Sequence, residues 1–174
     1  MDPATLLTLL LNCAPQVDPT TARALVAVES SLNPHAIGVV GGTLERQPRN
    51  QREALATAHA LHDAGWNFSL GLAQINVRNF PRLGLDLEHA FEPCTNLAAM
   101  QAVLGECHRR ALQGRSAPQH ALRRSLSCYY SGNFSTGFSS GYVGRVAAAA
   151  WAASGPVPQP SSTLSSTPSM KEPS

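Results

Sequence analysis

The chain has little charge, few aromatic residues and almost no lysine. Charged residues make up 14% and aromatic residues 6% of its 174 residues, and Lys171 stands alone beside 12 arginines. The net charge of the chain is only +2, and the sequence has no basic tract with interleaved aromatic side chains. No nucleic-acid partner is therefore predicted. The arginines that lie closest together in the sequence are interpreted as the solvated surface of two helices; they are Arg109, Arg110, Arg115, Arg123 and Arg124.

A long apolar run is also absent. The most apolar stretch, residues 6–11, is far shorter than the roughly 20 residues that cross a bilayer as a helix. No basic segment precedes this stretch and no small-residue cleavage site follows it, so it does not have the pattern of a signal peptide. We therefore predict that it is a helix of the folded domain and that the chain has no integral membrane segment.

The cysteines lack the C-x-x-C spacing that is typical of zinc sites and thioredoxin-like sites; they are Cys13, Cys94, Cys107 and Cys128. No metal and no cofactor are predicted. Two disulfides in an oxidising compartment are the favoured interpretation, and four buried free thiols in a cytosolic protein are the alternative. Cys107 and Cys128 lie on consecutive predicted helices, which makes them the more plausible pair.

Composition divides the chain near residue 153. Pro and Ser supply 12 of the 22 residues in 153–174, and such a segment has too little to bury, so a disordered tail is predicted there. Residues 1–152 are predicted to form one mainly helical domain. Asp-Pro pairs at 2–3 and 18–19 indicate helix starts, because Asp caps a helix and Pro suits its first position. Residues 132–141 are predicted to be a polar, glycine-rich loop.

Glu29 is the principal candidate for chemistry. It continues the apolar stripe Ala22, Leu25, Val26 of the helix that is predicted to follow Pro19. It also lies near the C-terminal end of that helix, where the macrodipole disfavours negative charge. Burial and the dipole should both raise its pKa, which suits a carboxylic acid that donates a proton near neutral pH. The alternative is that Glu29 pairs with an arginine or lies at the edge of the stripe.

One short motif begins at Glu29, and two others follow it along the chain. They are Glu29-Ser30 with Asn33-Pro34, then Gly71-Leu72-Ala73-Gln74-Ile75-Asn76, then Cys128-Tyr129-Tyr130-Ser131-Gly132-Asn133. In this order they resemble the signatures of the lysozyme-like lytic transglycosylases. Ala73 stands where that family usually has Met, and Tyr130 where it usually has Asn.

Within that family the chain most resembles the enzymes that accompany bacterial type IV secretion systems. The segments that carry this resemblance are Cys13-Ala14-Pro15, Pro93-Cys94-Thr95-Asn96 and Gly141-Tyr142-Val143. It extends over residues 5–152. It implies a mainly α, lysozyme-like (α+β) fold with a glycan groove beside Glu29, covered by residues 66–80 and 130–142. It also implies a periplasmic location, with peptidoglycan strands and other secretion components as partners.

The resemblance further implies a reaction and a set of site residues. Glu29 would cleave the bond between N-acetylmuramic acid and N-acetylglucosamine as both acid and base, giving a 1,6-anhydro product. The residues assigned to substrate binding are Ser30, Gln74, Asn76, Tyr129 and Asn133. Ser30 would orient Glu29 or else bond to the backbone, and Tyr129 would hydrogen bond to Glu29 or the sugar.

Two alternatives to this function remain open. A hydrolytic muramidase on the same fold would generally need a second carboxylate, and the candidates Glu45, Asp63 and Asp86 have the pattern of exposed surface residues. A non-catalytic glycan-binding or scaffold protein would need no buried acid.

Overall fold

The structure, a computed structural model, describes residues 1–114 and 117–153. The predicted Pro/Ser-rich tail, apart from its first residue, lies outside the described residues. The described part contains eight α-helices and one three-stranded antiparallel sheet. The helices are α1 Pro3–Cys13, α2 Pro19–Ser30, α3 Gln51–Asp63, α4 Phe80–Leu83, α5 Pro93–Leu112, α6 Pro118–Ser131, α7 Thr136–Ser139 and α8 Tyr142–Ala153. The strands are β1 Ile37–Val39, β2 Phe68–Leu70 and β3 Ile75–Asn76, and 3-10 turns span Val77–Asn79 and His89–Phe91.

Side-chain caps explain where three of the helices begin. The Asp2 carboxylate accepts hydrogen bonds from two backbone N–H groups of the first turn of α1, and Asp18 accepts one from the first turn of α2. Asn50 accepts a bond of 3.0 Å from the Glu53 N–H at the start of α3. These contacts satisfy N–H groups that have no partner within the helix, and those of Asp2 and Asp18 confirm the two predicted helix starts.

The end of α2 determines where Glu29 lies. Ser31 has a left-handed backbone with φ of 52°, and its N–H donates to the Ala27 carbonyl oxygen at 3.1 Å. The helix therefore ends at Ser30, before the Asn33-Pro34 pair of the first motif. Glu29 consequently lies in the last turn, next to the carbonyl end of the helix dipole.

The core forms where the helices meet the sheet. Helix α5 packs against α1 and α6, and α8 packs against α2. Leu25, Phe68, Leu97 and Met100 have almost no solvent exposure, and burying such a side chain contributes about 1.5–3 kcal/mol. This core holds α2, the sheet and α6 in fixed relative positions around the cleft described below.

The prediction that residues 132–141 form an irregular loop is wrong in part, because α7 lies within it. The Asn133 side-chain oxygen accepts hydrogen bonds from the Ser135 and Thr136 N–H groups and so starts the helix. Gly137 lies so close to α6 that an added Cβ would lie 2.5 Å from the Ser127 Cα. A helix of four residues is too short to show apolar periodicity, so the hydrophobic pattern of the sequence did not indicate it. The Asn133 contacts and the close packing of Gly137 against α6 stabilise it instead.

Two disulfides tie the helices together, as predicted. Cys13 and Cys94 join α1 to α5 with a Cα–Cα distance of 5.2 Å, and Cys107 and Cys128 join α5 to α6 with a distance of 5.7 Å. We call these the α1–α5 and α5–α6 disulfides. The second is the pair that was favoured from the sequence. In the described part of the chain, no helix is both long enough and apolar enough to span a membrane.

Candidate active site

A cleft of about 680 Å³ lies between the sheet and the end of α6. Its walls come from the end of α2, all three strands, the turn after β3, residues 129–131 of α6 and Gly132, which follows that helix. This volume is within the range of about 300–1,000 Å³ that is typical of ligand sites. The cleft agrees with the groove predicted beside Glu29, and we refer to it as the main cavity.

Glu29 contributes the one carboxyl group among the described residues that line the main cavity. Burial disfavours its charged form and raises its pKa from 4.5 to about 7, against the opposing effects of a hydrogen bond from Tyr142 and the charge of Arg145. At neutral pH both protonation states of Glu29 are therefore populated. A carboxyl group in that condition can donate a proton and accept one back.

Tyr142 is the closest partner of this carboxyl group. Its hydroxyl donates a hydrogen bond of 2.5 Å to Glu29 Oε1, and the residue is 2% exposed. Burial, followed by the nearby Glu29 charge, raises the pKa of Tyr142 well above its usual value, so the hydroxyl stays a donor. Tyr142 was not among the predicted site residues. The only signal for it was its place in the Gly141-Tyr142-Val143 segment of the resemblance.

Gln74 lies on the turn between β2 and β3 and lines the main cavity. Its backbone is left-handed, with φ of 48°. Its side-chain amide donates to the carbonyl oxygens of Ala36 at 3.0 Å and Gly71 at 2.9 Å. Its Oε1 atom lies against Gly38, where an added Cβ would be only 2.6 Å away. These contacts hold the Gln74 side chain in one place at the cavity wall.

Asn96, at the start of α5, supports that turn from beneath. It is fully buried, accepts a hydrogen bond of 2.8 Å from the Ala73 N–H, and donates to the carbonyl oxygens of Leu70 and Ala90. The Tyr129 hydroxyl in turn donates to the Ala73 carbonyl oxygen at 2.6 Å. Asn96 therefore connects α5, the Gln74 turn and the aromatic wall of the cavity through hydrogen bonds that are shielded from water.

The structure distinguishes among the five residues predicted to bind substrate. Gln74, Asn76 and Tyr129 line the main cavity. The Tyr129 hydroxyl donates to the Ala73 carbonyl oxygen, and the hydroxyl that donates to Glu29 is that of Tyr142. Contact of Tyr129 with Glu29 or with the sugar stays a prediction. Asn76 also caps the 3-10 turn after β3, accepting a bond of 3.0 Å from the Arg78 N–H.

Ser30 and Asn133 do not line the main cavity. The Ser30 hydroxyl donates to the Val26 carbonyl oxygen at 3.2 Å, which was the alternative role considered for it. Asn133 is exposed, and its side chain starts α7 and donates to the Thr136 hydroxyl at 2.9 Å. Substrate contact by these two side chains stays a prediction that the lining of the cavity does not support.

Two further residues of the main cavity were missed. Asn67 lines the main cavity, and its buried Oδ1 atom has no hydrogen-bond partner among the described residues, which makes it an unsatisfied acceptor at the cavity wall. Tyr130 is 46% exposed, and its ring stacks on that of Tyr142 with centroids 4.5 Å apart. Tyr130 was noted in the sequence only as a departure from the usual motif. Asn67 falls within residues 66–80, the segment that the resemblance places over the groove.

The other acidic candidates lie away from the main cavity. Glu45 and Asp63 are exposed, and Asp86 pairs with His89 on the surface at 2.7 Å. Across residues 1–114 and 117–153, no group of three or more His, Cys, Asp or Glu side chains is placed to hold a metal ion. Among the described residues, the lining of the main cavity therefore offers one carboxyl group, that of Glu29, with Tyr142 as its hydrogen-bond partner.

A mainly helical domain with a small antiparallel sheet, and a half-buried acid in the cleft between them, is typical of the lysozyme-like class of folds. The chain belongs to the Transglycosylase SLT domain family, whose match covers residues 10–151.

Several curated proteins are similar to this chain. The type IV secretion system protein virB1 of Brucella abortus biovar 1 (strain 9-941) is 49% identical over 150 residues, which are 83% of this chain and 63% of that protein. Protein virB1 of Agrobacterium fabrum (strain C58 / ATCC 33970) is 40% identical over 143 residues, 80% of this chain and 56% of that protein. Protein virB1 of Rhizobium radiobacter is 39% identical over 141 residues, 80% of this chain and 58% of that protein. The chain thus spans less than two thirds of the length of these relatives. No solved structure gave a significant match.

Proposed function

We propose that this chain cleaves the glycan strands of peptidoglycan as a lytic transglycosylase, with Glu29 as its catalytic acid and base. The observation that carries the proposal is one carboxyl group with a pKa of about 7 at the wall of a cleft large enough for sugars. Membership of the Transglycosylase SLT domain family supports the same activity.

The proposed reaction needs only this one acid. Glu29 donates its proton to the oxygen that bridges N-acetylmuramic acid and N-acetylglucosamine as the bond from the muramoyl C1 to that oxygen breaks. The Glu29 carboxylate then accepts the proton of the muramoyl 6-hydroxyl, whose oxygen bonds to C1. The products are a 1,6-anhydro sugar and a free 4-hydroxyl, and Glu29 is protonated again. No water is consumed.

Tyr142 positions the carboxyl group during this cycle. Its hydrogen bond to Glu29 Oε1 stabilises the carboxylate that forms when the proton has left, because hydrogen bonds to an ionised acceptor are stronger than neutral ones. Gln74, Asn76 and Asn67 supply polar groups along the cavity, and Tyr130 supplies an exposed aromatic face. We assign these residues to holding the sugars in place.

A hydrolytic muramidase is the second candidate, and the carboxyl count argues against it. Glycoside hydrolases generally use two carboxyl groups about 5–9.5 Å apart, whereas Glu29 alone supplies one among the described lining residues. A glycan-binding protein without turnover is a third candidate. Such a protein would have no use for a carboxyl group whose pKa is raised by burial.

The relatives and the disulfides support a proposal for the cellular compartment and the system in which the chain acts. The Brucella relative is named as a type IV secretion system protein, and two disulfides suit an oxidising compartment such as the periplasm. We propose that the chain opens the cell wall locally there for a secretion system, whose components are its candidate protein partners.

Mass spectrometry of digested sacculi tests the activity directly. Anhydro-muropeptides released by the wild-type chain, and not by Glu29→Gln, are the expected result. Reducing-end muropeptides would identify a hydrolase instead, and bound but intact sacculi would identify a non-catalytic binding protein.

A further inference from the structure

Two arginines converge on a second concavity beside the main cavity. Arg82 of α4 and Arg110 of α5 line a cavity of about 240 Å³, together with Glu106 and both cysteines of the α5–α6 disulfide. We call it the side cavity. No step of the proposed reaction uses it.

Both guanidinium groups are already held in position. Arg82 donates through Nε to Asn79 Oδ1 at 3.1 Å and through Nη1 to Glu106 Oε2 at 2.6 Å. Arg110 donates to Cys128 Sγ at 3.6 Å, and its Cζ atom lies 5.3 Å from the centroid of the Phe134 ring. A guanidinium has five N–H donors, so these contacts leave several for a ligand. Side chains that are ordered in advance lose less entropy on binding.

The charge of the side cavity is positive on balance. Glu106 offsets one of its two arginines. A third arginine, Arg78, lines the neighbouring part of the main cavity and forms no ion pair with any residue in the described part of the chain. An anionic group, and a planar carboxylate in particular, suits guanidinium donors best.

The side cavity opens onto the main cavity. The two share four lining residues, Asn79, Val103, Tyr129 and Gly132. A volume of about 240 Å³ is below the roughly 300 Å³ at which pockets for independent ligands begin. It therefore suits a branch of a molecule whose main part occupies the main cavity.

We infer that the side cavity binds a carboxylate of the peptide stem that branches from the muramoyl sugar, through Arg82 and Arg110. This inference rests on the proposed function, because it assigns the main cavity to the glycan strand. Binding of a stem carboxylate in the side cavity makes the enzyme selective for strands that carry acidic stems over strands whose stems are absent or uncharged.

Substitutions of opposite expected effect test the assignment. The substrates are soluble glycan strands with native stems and the same strands with the stem carboxylates converted to amides. Arg82→Gln should lower kcat/KM on native strands by about 3- to 10-fold, as for loss of a partly exposed charge pair, and leave the amidated strands unaffected. Glu106→Gln should raise kcat/KM on native strands by at least about twofold, because the amide oxygen can still accept from Arg82 and hold it in position while the negative charge that repels the stem carboxylate is removed.

A merely structural Arg82–Glu106 ion pair predicts a different result, because both substitutions would then act in the same direction on both substrates. That outcome, or unchanged rates for Arg82→Gln, would overturn the inference. Arg52→Gln, on the exposed face of α3, is the matched control and should change neither rate.

Two further experiments are needed. The first tests whether the bound carboxylate belongs to the stem or to the sugar, and the second tests the inference independently of the proposed cleavage. Strands stripped of stems by an amidase keep the lactyl carboxylate of the sugar, and an Arg82 dependence that persists on them would assign the site to the sugar and not to the stem. The same substitutions measured by sacculus binding in a Glu29→Gln background need no turnover. An Arg82 dependence on native stems there supports the inference even if the chain does not cleave glycan.

Discussion

Replacing Glu29 with Gln should make the protein more stable while abolishing most of its activity. The substitution keeps the size of the side chain and an oxygen that can still accept the Tyr142 hydrogen bond. It removes the charge that burial disfavours and the proton that the proposed reaction transfers. A structural residue would not combine these two effects.

The size of the stability effect follows from the pKa. In the folded chain the pKa of Glu29 is about 7, against an ordinary value of 4.5. At about 1.4 kcal/mol per pKa unit, ionising Glu29 in the fold costs up to about 3 kcal/mol. The unfolded chain ionises first as pH rises, so wild-type stability falls between about pH 4.5 and pH 7 and is level above that range. Gln does not ionise, so the variant does not have this loss.

Thermal unfolding of both proteins at pH 5 and pH 8 measures the difference. The variant should exceed the wild type slightly at pH 5 and by up to about 3 kcal/mol at pH 8, or about 6–12 °C in Tm for a domain of this size. Release of anhydro-muropeptides should fall by about 10²- to 10⁴-fold, as expected when general acid-base catalysis is lost. Sacculus binding should persist.

Glu53→Gln is the matched control. Glu53 is at the surface and pairs with Arg46 at 2.6 Å, which holds its pKa below the usual value. This substitution should therefore lower stability slightly and leave release unchanged. Two outcomes would refute the reasoning about Glu29. One is a Glu29→Gln variant less stable than the wild type at pH 8, as expected if the substitution breaks a buried ion pair. The other is a well-folded variant that releases anhydro-muropeptides at nearly the wild-type rate.

Three other changes have definite expected outcomes. Tyr142→Phe removes a hydrogen bond that lowers the pKa of Glu29, so the alkaline decline of kcat/KM should move to higher pH; an unmoved decline would exclude Tyr142 as a positioning residue. Asn96→Ala leaves the Ala73 N–H and the Leu70 and Ala90 carbonyl groups without their buried partner and should cost about 3 kcal/mol or more in chemical denaturation. Replacing both cysteines of the α1–α5 disulfide, which are 81 residues apart, should cost about 4.5 kcal/mol, against about 3.3 kcal/mol for the α5–α6 disulfide at 21 residues; equal losses would contradict the loop-entropy argument.

Local patterns in the sequence determined the helix starts and the main acid. Asp2 and Asp18 cap helices through contacts with residues two or three positions away, and such contacts depend only on the nearby chain. The apolar spacing that leads to Glu29 is likewise a property of one helix. The turn that carries Gln74 could be located by its resemblance to a known motif, although its left-handed backbone could not.

The partners of these residues were decided only by the tertiary structure. Tyr142 is 113 residues from Glu29 in sequence, and the two meet because α8 packs against α2. Asn96 reaches Ala73 across 23 residues because α5 lies beneath the turn between β2 and β3. No local spacing encodes either distance, since both follow from the way the buried faces of separate elements pack into one core. The same packing brings Arg82 and Arg110 together, and it buries Glu29 enough to raise its pKa to about 7.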